Sequence, residues 1–441
     1  MRDPDGYLEP DGEAHLARRL LSASEALPFL NGAAARTLVD QGQLIAFEAL
    51  DPQTMRVPRI PFVTTPFEWC DLQLRHAAEL TLDISRAALV EGHELKDASA
   101  WNVLFHGSRP LFCDHLSFRP IRRRQWWAFG QFLRHFSFPL AVAEATGLPA
   151  ARWFRMSRDG LQPHEARQLL GVRRFKTKLW PLLLYSGADE TASVGSKHPP
   201  PPGQTDTPFH PHLYQYARWS LPGGSSTARK NGPWLDYVSS RSHYSTVSLE
   251  TKHSAVARWL HATRPRWVLD LGANSGEFSR LAADHGAQVI ALEQDENCIT
   301  QLYKQADRST AIFPLLSNLA DLCGGSGWLG TEHAGLYGRL QNRVQLVLAL
   351  AVIHHLAISE SIPLNRIADF VADVSTSHAI VEFVPDNDPM VQRLSAQRER
   401  SAHEFSIAAQ QAAFGRRFEF LETLTLGSGG RVLVLMEKLQ A

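Results

Sequence analysis

The stretch from Arg266 to Glu293 places the tightest limits on what this chain can fold into. It contains a short apolar strand, a glycine-containing loop, a helix and a second apolar strand, at residues 266–271, 272–278, 279–286 and 288–293. Two such strands separated by one helix form a β-α-β unit, in which the strands run parallel. Gly272 and Gly276 let the backbone turn sharply and approach a ligand without an intervening Cβ. The stretch therefore predicts a ligand site at the carboxyl end of the first strand.

The rest of the C-terminal half continues the alternation of strands and helices. Further strands are predicted at residues 311–316, 344–351 and 378–384, and further helices near residues 296–305 and 364–374. Two last strands, at residues 418–426 and 431–439, flank the sequence GSGG and read as a hairpin. The pattern predicts an α/β fold with a doubly wound, mainly parallel sheet of seven strands, in which the closing hairpin adds an antiparallel strand at the edge.

Two acidic residues indicate the kind of ligand that this sheet binds. Asp270 stands just ahead of the first glycine, in a D-x-G-x-x-x-G pattern instead of the G-x-G-x-x-G pattern of dinucleotide-binding loops. An acid at this position disfavours a phosphate and suits a cationic amino-acid group. Glu293 ends the second strand 21 residues after Gly272, where a carboxylate can accept hydrogen bonds from both ribose hydroxyls. The ligand should therefore contain a ribose and a cationic group.

The sequence VLDLGANSGEFSRLAADHGAQVIALEQD resembles the first two motifs of the class I S-adenosylmethionine-dependent methyltransferases. The resemblance implies that S-adenosylmethionine is the cofactor and that the region is a methyltransferase. It also implies that the methionine side of the cofactor meets a set of loop residues, namely Asp270, Gly272, Asn274 and Gly276. Glu293 would then bind the ribose, and Asn318, just beyond the third strand, would contact the adenine.

Candidates for catalysis follow the fourth and fifth predicted strands. LVLALAVIHHL resembles the fourth motif of the family, with Gln345 in place of the usual acid, a change expected to affect strand anchoring. His354 or His355 could act as a general base, or one could cap the strand while the other packs. Adjacent strand residues point to opposite faces, so no paired metal site is expected. Glu382 competes for the catalytic role, and Asp386 could orient a substrate or close a loop.

A polar and aromatic segment precedes the predicted sheet, where related enzymes often have a part that covers the cofactor. The candidate lid or substrate residues, which could equally pack, are Trp234, Tyr237, His243, Tyr244 and Lys252.

The chain is long enough for two domains, because 441 residues exceed the size of a single hydrophobic core. A Pro-, Gly- and Ser-rich connector is predicted at residues 188–233, between an N-terminal domain at 1–187 and the methyltransferase domain at 234–441. Within the connector, LYQYARWSL carries enough aromatic surface to pack on a domain.

The N-terminal half contains a stretch whose spacing resembles the catalytic loop of kinase-like phosphotransferases. Asp97 and Asn102 have the D-x-x-x-x-N spacing, and Asp114 follows a predicted strand-turn-strand, where kinases place a metal-binding Asp. No glycine-rich loop or kinase-type lysine precedes them. Three readings stay open: a degenerate kinase-like α+β domain, an active kinase, and an unrelated helical domain. In the degenerate reading, Asp97 accepts hydrogen bonds from nearby backbone amides and Asn102 braces the same loop.

With HHLAI, EFVP and SRSHYS, the N-terminal stretch resembles bacterial two-part methyltransferases of the nodulation-protein type along most of the chain. We expect an enzyme that methylates an O, N or C atom of a small-molecule, glycoconjugate or peptide acceptor in a biosynthetic pathway. The alternatives are a non-catalytic cofactor-binding or sensor protein, and a bifunctional enzyme with an active phosphotransferase.

The amino-acid composition limits the classes of partner that this chain is expected to bind. The 45 Lys and Arg residues balance the 45 Asp and Glu residues, so no nucleic-acid partner is expected. The four cysteines form no Cys-x-x-Cys pair, and no stretch offers the roughly 20 apolar residues of a membrane span. A cytoplasmic protein without a membrane partner or a bound metal is expected, with its oligomeric state open.

Overall fold

The structure, a computed structural model, describes residues 5–21, 24–185, 209–222 and 246–440. The chain divides into two compact units, unit 1 at Met1–Lys230 and unit 2 at Asn231–Ala441. Each unit is considered by itself.

Unit 1 begins with a four-stranded antiparallel sheet in the order β1-β2-β4-β3. Its strands are β1 (Gly6–Asp11), β2 (His15–Leu20), β3 (Glu48–Asp51) and β4 (Thr54–Pro58). Two further antiparallel pairs join β5 (His93–Leu95) to β8 (Phe118–Pro120), and β6 (Val103–His106) to β7 (Arg109–Phe112). The β6–β7 hairpin is the strand-turn-strand that the sequence predicts before Asp114.

Helices make up most of the remainder of unit 1. They are α1 (Leu27–Leu30), α2 (Ala33–Asp40), α3 (Asp71–Val90), α4 (Phe129–Phe132), α5 (Phe138–Thr146), α6 (Ala151–Met156), α7 (Pro163–Leu170), α8 (Trp180–Tyr185) and α9 (His210–Ser220). A π-helical turn at Leu133–Ser137 joins α4 to α5. The longest helix of the unit, α3, buries Leu74, Leu82 and Ile84 in the core.

Helix α9 lies in the middle of the predicted connector and packs on α3. Tyr214 and Ala217 are fully buried, and the Arg218 guanidinium donates to the Asp83 carboxylate on α3. The aromatic segment of the connector therefore belongs to the core of unit 1. The rest of the predicted connector, residues 188–208 and 223–233, lies outside the described residues.

Unit 2 contains a seven-stranded sheet in the order β11-β10-β9-β12-β13-β15-β14. The strands are β9 (Trp267–Leu271), β10 (Gln288–Glu293), β11 (Ile312–Leu316), β12 (Val344–Ala349), β13 (Ser375–Phe383), β14 (Phe418–Leu426) and β15 (Arg431–Lys438). Strands β9 to β13 are mutually parallel, as the β-α-β pattern predicts.

The last hairpin differs from expectation in its placement. Strand β15 pairs antiparallel with both β13 and β14, so the antiparallel strand lies second from the edge, and β14 forms the edge. The residues explain this order. β15 is a continuous apolar run that is buried over most of its length, whereas β14 alternates buried and exposed positions. A strand covered on both faces needs the continuous run, and an edge strand tolerates the alternation.

The helices of unit 2 are α10 (Thr246–Thr263), α11 (Glu277–Asp284), α12 (Glu296–Ala306), α13 (Leu336–Leu340), α14 (Leu364–Val374), α15 (Pro389–Gln397) and α16 (Ile407–Phe414). The helix that connects β9 to β10 packs against both strands, and α14 packs against β12 and β13. Throughout the described ranges, no helix combines the length and apolar character that crossing a membrane requires.

Candidate active site

A cavity of about 270 Å³ opens at the carboxyl ends of β9, β10, β11 and β12 in unit 2. The predicted site residues that line it are Lys252, Asp270, Gly272, Asn274, Glu293, Asn318 and His355. Its apolar walls include Leu292, Leu319, Leu350, Val352 and Leu356. Parallel strands that end at one edge of a sheet bring loops from distant parts of the chain together, which is why these residues meet.

The glycine loop after β9 depends on backbone conformations that side chains disfavour. Gly272 has φ +71° and Gly276 has φ +81°, both in the left-handed region. A Cβ on Gly276 would also lie 1.7 Å from Cδ1 of Leu302 on α12, which no small shift relieves. Gly276 does not line the cavity, so the structure gives it a conformational and packing role instead of the predicted ligand contact.

The Asp270 side chain is almost fully buried at the cavity wall. Ser279 Oγ donates a hydrogen bond of 2.6 Å to its Oδ2. Burial raises the pKa of this carboxyl to about 6, against the opposing effects of the Ser279 hydrogen bond and the Lys252 charge. A ligand that brings a positive charge to this position would favour the ionised form further, and the cationic ligand group expected from the sequence stays a prediction.

Glu293 holds the loops on either side of it through backbone amides. Its Oε2 accepts from the Asn274 amide at 2.8 Å, and its Oε1 accepts from the amides of Gln294 and Asp295 at 2.7 and 2.8 Å. Burial raises the pKa of this carboxyl, and the three amides oppose the shift. These bonds use three of about four lone-pair sites, so the carboxylate retains room for one ribose hydroxyl and not the two expected from the sequence.

Asn318 lies just after β11 in a tight turn. Its side-chain oxygen accepts from the Ala320 amide at 2.9 Å, and its carbonyl accepts from the Asp321 amide at 3.1 Å. The turn fixes this side chain at the cavity wall, on the neighbouring strand to Glu293. Its predicted contact with adenine stays a prediction.

A chain of buried charges runs from the cavity to the last strand. Lys252 Nζ on α10 lies 2.6 Å from Oε2 of Glu382, and Arg431 Nη1 lies 3.1 Å from Oε1 of the same carboxylate. Arg431 Nε also donates to Oδ2 of Asp388 at 2.9 Å, and Asp388 caps α15 through the Met390 amide. Both carboxylates and both cations of this chain are buried.

Glu382 does not reach the cavity, which corrects its predicted place among the catalytic residues. Its side chain is fully buried in β13, where it points to Lys252 and Arg431. The sequence shows an acid at the end of a strand but not which face it occupies. Lys252 is the member of this chain that lines the cavity, and its lid or substrate role stays a prediction.

His354 and His355 lie on a helical turn after β12 and not on a strand. The prediction that the two side chains point to opposite faces of a strand is therefore wrong, and their ring centroids are only 4.1 Å apart. His355 lines the cavity, and burial, together with the Arg431 charge, lowers its pKa to about 4. His354 is buried outside the cavity lining, and burial lowers its pKa well below the ordinary value. Both rings are neutral at pH 7, and only His355 stays placed for a proton-accepting role.

The remaining candidates lie elsewhere. Asp386 pairs with His403 Nδ1 at 2.8 Å and does not line the cavity. Gln345 accepts a hydrogen bond of 2.7 Å from the Trp267 amide, so it anchors the start of β12 to the start of β9. The lid candidates Trp234, Tyr237, His243 and Tyr244 are outside the described residues. Over the described ranges, no group of three or more His, Cys, Asp or Glu residues could hold a metal ion.

Sequence reasoning missed two residues that support the site. Ser279 reaches Asp270 from the first turns of α11, and Arg431 reaches Glu382 from β15. Ser279 had a local signal, because it follows Asp270 by nine residues at the start of the predicted helix. Arg431 had none, because only the pairing of β15 with β13 brings it to Glu382.

The kinase-like stretch of unit 1 forms a hydrogen-bonded turn. Asp97 Oδ1 accepts from the Ser99 amide at 2.9 Å, and Asn102 Nδ2 donates to the Asp97 carbonyl at 3.3 Å. This confirms the predicted local bonding. Asp114 caps a short helical turn through the Leu116 amide and lies 3.6 Å from Nη1 of Arg18 on β2. The resemblance of the domain to kinases stays a prediction.

Comparison with known proteins found a relative that matches nearly the whole chain and solved structures that match less than half of it. No family model matches. The nodulation protein NoeA of Rhizobium meliloti strain 1021 is 28% identical over 462 residues, which cover 99% of this chain and 95% of that protein.

Two solved structures are among those that match part of the chain. Magnesium protoporphyrin IX methyltransferase (ChlM) from Synechocystis PCC 6803, with bound S-adenosylmethionine, is 17% identical and covers 44% of this chain and 81% of its own, with a TM-score of 0.31. The N-methyltransferase NodS from Bradyrhizobium japonicum WM9 is 11% identical and covers 44% of this chain and 98% of its own, with a TM-score of 0.33.

Proposed function

We propose that unit 2 binds S-adenosylmethionine in the cavity and transfers its methyl group to an O, N or C atom of a small-molecule, glycoconjugate or peptide acceptor. The observation that carries the proposal is a pair of buried carboxylates, Asp270 and Glu293, which line one cavity from neighbouring parallel strands. Burying two carboxylates in one pocket is unfavourable unless a ligand or the protein compensates them.

The residues present fit this cofactor. Asp270 stands where a protonated amine would offset the unfavourable burial of its charge, and it would repel a phosphate. Glu293 keeps one acceptor site for a ribose hydroxyl. The apolar walls formed by Leu292, Leu319 and Val352 suit an adenine ring and a thioether.

The protein's own contribution to the reaction is orientation and exclusion of water. Asp270 and Glu293 would hold the two ends of the cofactor, which when bound supplies an electrophilic methyl group on a sulfonium. Leu350, Val352 and Leu356 form a dry wall next to His355. The His355 ring is neutral at pH 7, but its pKa of about 4 makes it a weak base, so it would serve an acceptor group that loses its proton readily. An acceptor that is already a good nucleophile needs only to be oriented.

The test is isothermal titration of the full chain with S-adenosylmethionine and with S-adenosylhomocysteine. We expect one site per chain, with at least tenfold weaker binding in Asp270→Asn, because the amide cannot attract the ligand's amine with a full charge. Asp284→Asn is the matched control, since this exposed residue lies at the end of α11 and outside the cavity. The proposal is ruled out if neither S-adenosylmethionine nor S-adenosylhomocysteine binds the protein.

Transfer itself separates an enzyme from a cofactor-binding sensor. We expect labelled methyl groups to pass from S-adenosylmethionine to an acceptor in an extract of the producing cells, and Asp270→Asn to abolish this label. A protein that binds the cofactor and labels nothing in that extract would instead support the sensor function.

We further propose that unit 1 has a kinase-like origin and does not transfer phosphate. The Asp114 carboxylate lies beside the buried Arg18 guanidinium and caps a helical turn, so it already serves two protein groups. A magnesium-binding role would need the same oxygens. The likeness to NoeA along 99% of this chain supports treating the two units as parts of one functional protein.

A further inference from the structure

Unit 1 carries a surface on which large apolar side chains and cations lie side by side. It consists of residues 167–184, which comprise the second half of α7, a 3-10 turn at Gly171–Lys176 and nearly all of α8. We call it the basic–aromatic surface. Its exposed apolar side chains are Leu169, Val172, Phe175, Trp180 and Leu184, with Val172 80% and Phe175 53% exposed.

The outward direction of these side chains does not come from poor packing of the segment. Leu170, Leu179 and Leu183 from the same segment are fully or almost fully buried in a core cluster with Phe138 and Val142. The segment is thus anchored by one set of leucines while a second apolar set faces solvent. Five large apolar side chains exposed within one short segment are a feature typical of an interaction site in a soluble protein.

The charge of the surface is one-sided. Between Ala166 and Tyr185 there are five cations and no acid, whereas the whole chain has as many acids as bases. The cations are Arg167, Arg173, Arg174, Lys176 and Lys178. Arg174 stacks over the Phe175 ring at 4.5 Å, and Lys178 lies 5.0 Å from the Trp219 ring of α9, so cations and aromatic groups are interleaved.

We infer that the basic–aromatic surface docks on an anionic lipid surface, so that the protein binds membranes peripherally. Aromatic and aliphatic side chains that flank basic ones suit the boundary between headgroups and acyl chains, where both kinds of contact are gained. This inference is independent of the proposed function and of any membrane-spanning segment.

Two other partners fit less well. A nucleic acid would use the cations and the aromatic rings, but Leu169, Val172 and Leu184 would gain nothing from stacked bases. A second copy docked on the same surface would bring five cations against five cations, because a two-fold interface is self-complementary. An anionic lipid surface satisfies the cations and the aliphatic side chains together.

The experiment is co-sedimentation of the full chain with vesicles of phosphatidylcholine alone, and with vesicles of phosphatidylcholine and phosphatidylglycerol in a 7:3 ratio. We expect binding to the anionic vesicles that falls at least tenfold between about 50 and 500 mM NaCl, because salt screens the exposed charges. Lys176→Glu should weaken this binding at least tenfold, and Phe175→Ser should weaken it at any salt concentration. Both positions are exposed, so the fold should persist, which circular dichroism checks.

Matched controls lie on α3 of the same unit. Arg86→Glu makes the same type of charge reversal, and Val90→Ser removes an apolar side chain that is 85% exposed. Neither should change vesicle binding. The proposal is overturned if the protein ignores the anionic vesicles, or if the α3 variants lose as much binding as the others. It is also overturned if substitutions at Phe175 and Lys176 weaken binding to an RNA oligonucleotide, measured by titration, in place of vesicle binding. The same holds if they disrupt a dimer, measured by sedimentation velocity.

Discussion

The Lys252 ammonium lies 2.6 Å from the Glu382 carboxylate, in a contact that ties the wall of the cavity to the centre of the sheet. Arg431 lies on the other side of the same carboxylate. Glu382 therefore sits between two cations and holds one of them, Lys252, beside Asp270. We expect Glu382 to position the charge of Lys252 at the cavity wall, because Glu382 itself does not line the cavity.

Replacing Glu382 by Gln should destabilise the protein by about 3–5 kcal/mol, because the buried Lys252 ammonium loses its paired carboxylate, and Arg431 loses this contact and keeps the one with Asp388. Urea unfolding measures this change, and titration with S-adenosylhomocysteine should show weaker binding as Lys252 loses its support. Glu419→Gln is the control, since this exposed residue lies on β14 of the same sheet. A loss of less than 1 kcal/mol would show that the charge chain contributes little.

Cofactor binding should weaken as the pH falls through 6. The pKa of Asp270 is about 6, so at pH 5 only about one carboxyl in eleven is ionised, and the attraction for the ligand's amine is lost in the rest. Titration should therefore give an affinity for S-adenosylhomocysteine about tenfold lower at pH 5 than at pH 7. Asp270→Asn should bind weakly at both values. An affinity that does not change in the wild-type protein would contradict the assignment.

The same group should reduce the stability of the ligand-free protein. Because burial raises the pKa of Asp270 from 3.8 to about 6, the folded protein holds this proton more tightly than the unfolded chain. The contribution of Asp270 to the free energy of unfolding therefore falls by a total of about 3 kcal/mol as the pH rises from 4 to 6. Asp270→Asn should thus be more stable than wild type by about 1–3 kcal/mol at pH 7.5 and similar to it at pH 4. Thermal unfolding without ligand measures both, and a less stable variant at pH 7.5 would refute the prediction.

Glu293→Ala should weaken cofactor binding at least tenfold and should also lower stability. The first effect follows from losing a charged acceptor for the ribose, and the second from losing the acceptor of three backbone amides, together about 2–4 kcal/mol. Titration and urea unfolding separate the two effects. Asp284→Ala should change neither, and unaltered affinity in Glu293→Ala would show that the ribose binds elsewhere.

Unit 1 should bind ATP weakly or not at all, and methyl transfer should not require ATP. Asp114→Asn should leave the affinity for S-adenosylhomocysteine unchanged, and the stability should change modestly through the lost contact with Arg18. Titration with ATP and magnesium is the measurement. Binding that disappears in Asp114→Asn would make unit 1 an enzyme in its own right.

Local features could be predicted where chemistry depends on neighbours in the sequence. The strand-loop-helix-strand order around Gly272 follows from apolar runs and glycines, and the structure places Asp270 and Glu293 at one cavity as expected. The turn around Asp97 was predictable for the same reason, since its hydrogen bonds join residues a few positions apart.

Other features depended on how distant segments pack. The two histidines after β12 read as part of a strand, but the chain leaves the sheet at Ala349 and turns into a helix before it reaches them. The apolar run of β15 shows that the strand is buried, whereas its position between β13 and β14 results from pairing with a strand more than 40 residues earlier.

The sequence by itself determined the parallel β-α-β core, the glycine turn and the two acids at its edge, because periodicity and backbone conformation act over a few residues. Only the tertiary structure decided that Glu382 faces Lys252 and Arg431, and that five exposed apolar side chains share a surface with five cations. The physical reason is that the energies of burial and of ion pairing depend on which distant side chains come into contact. A linear pattern does not contain that information.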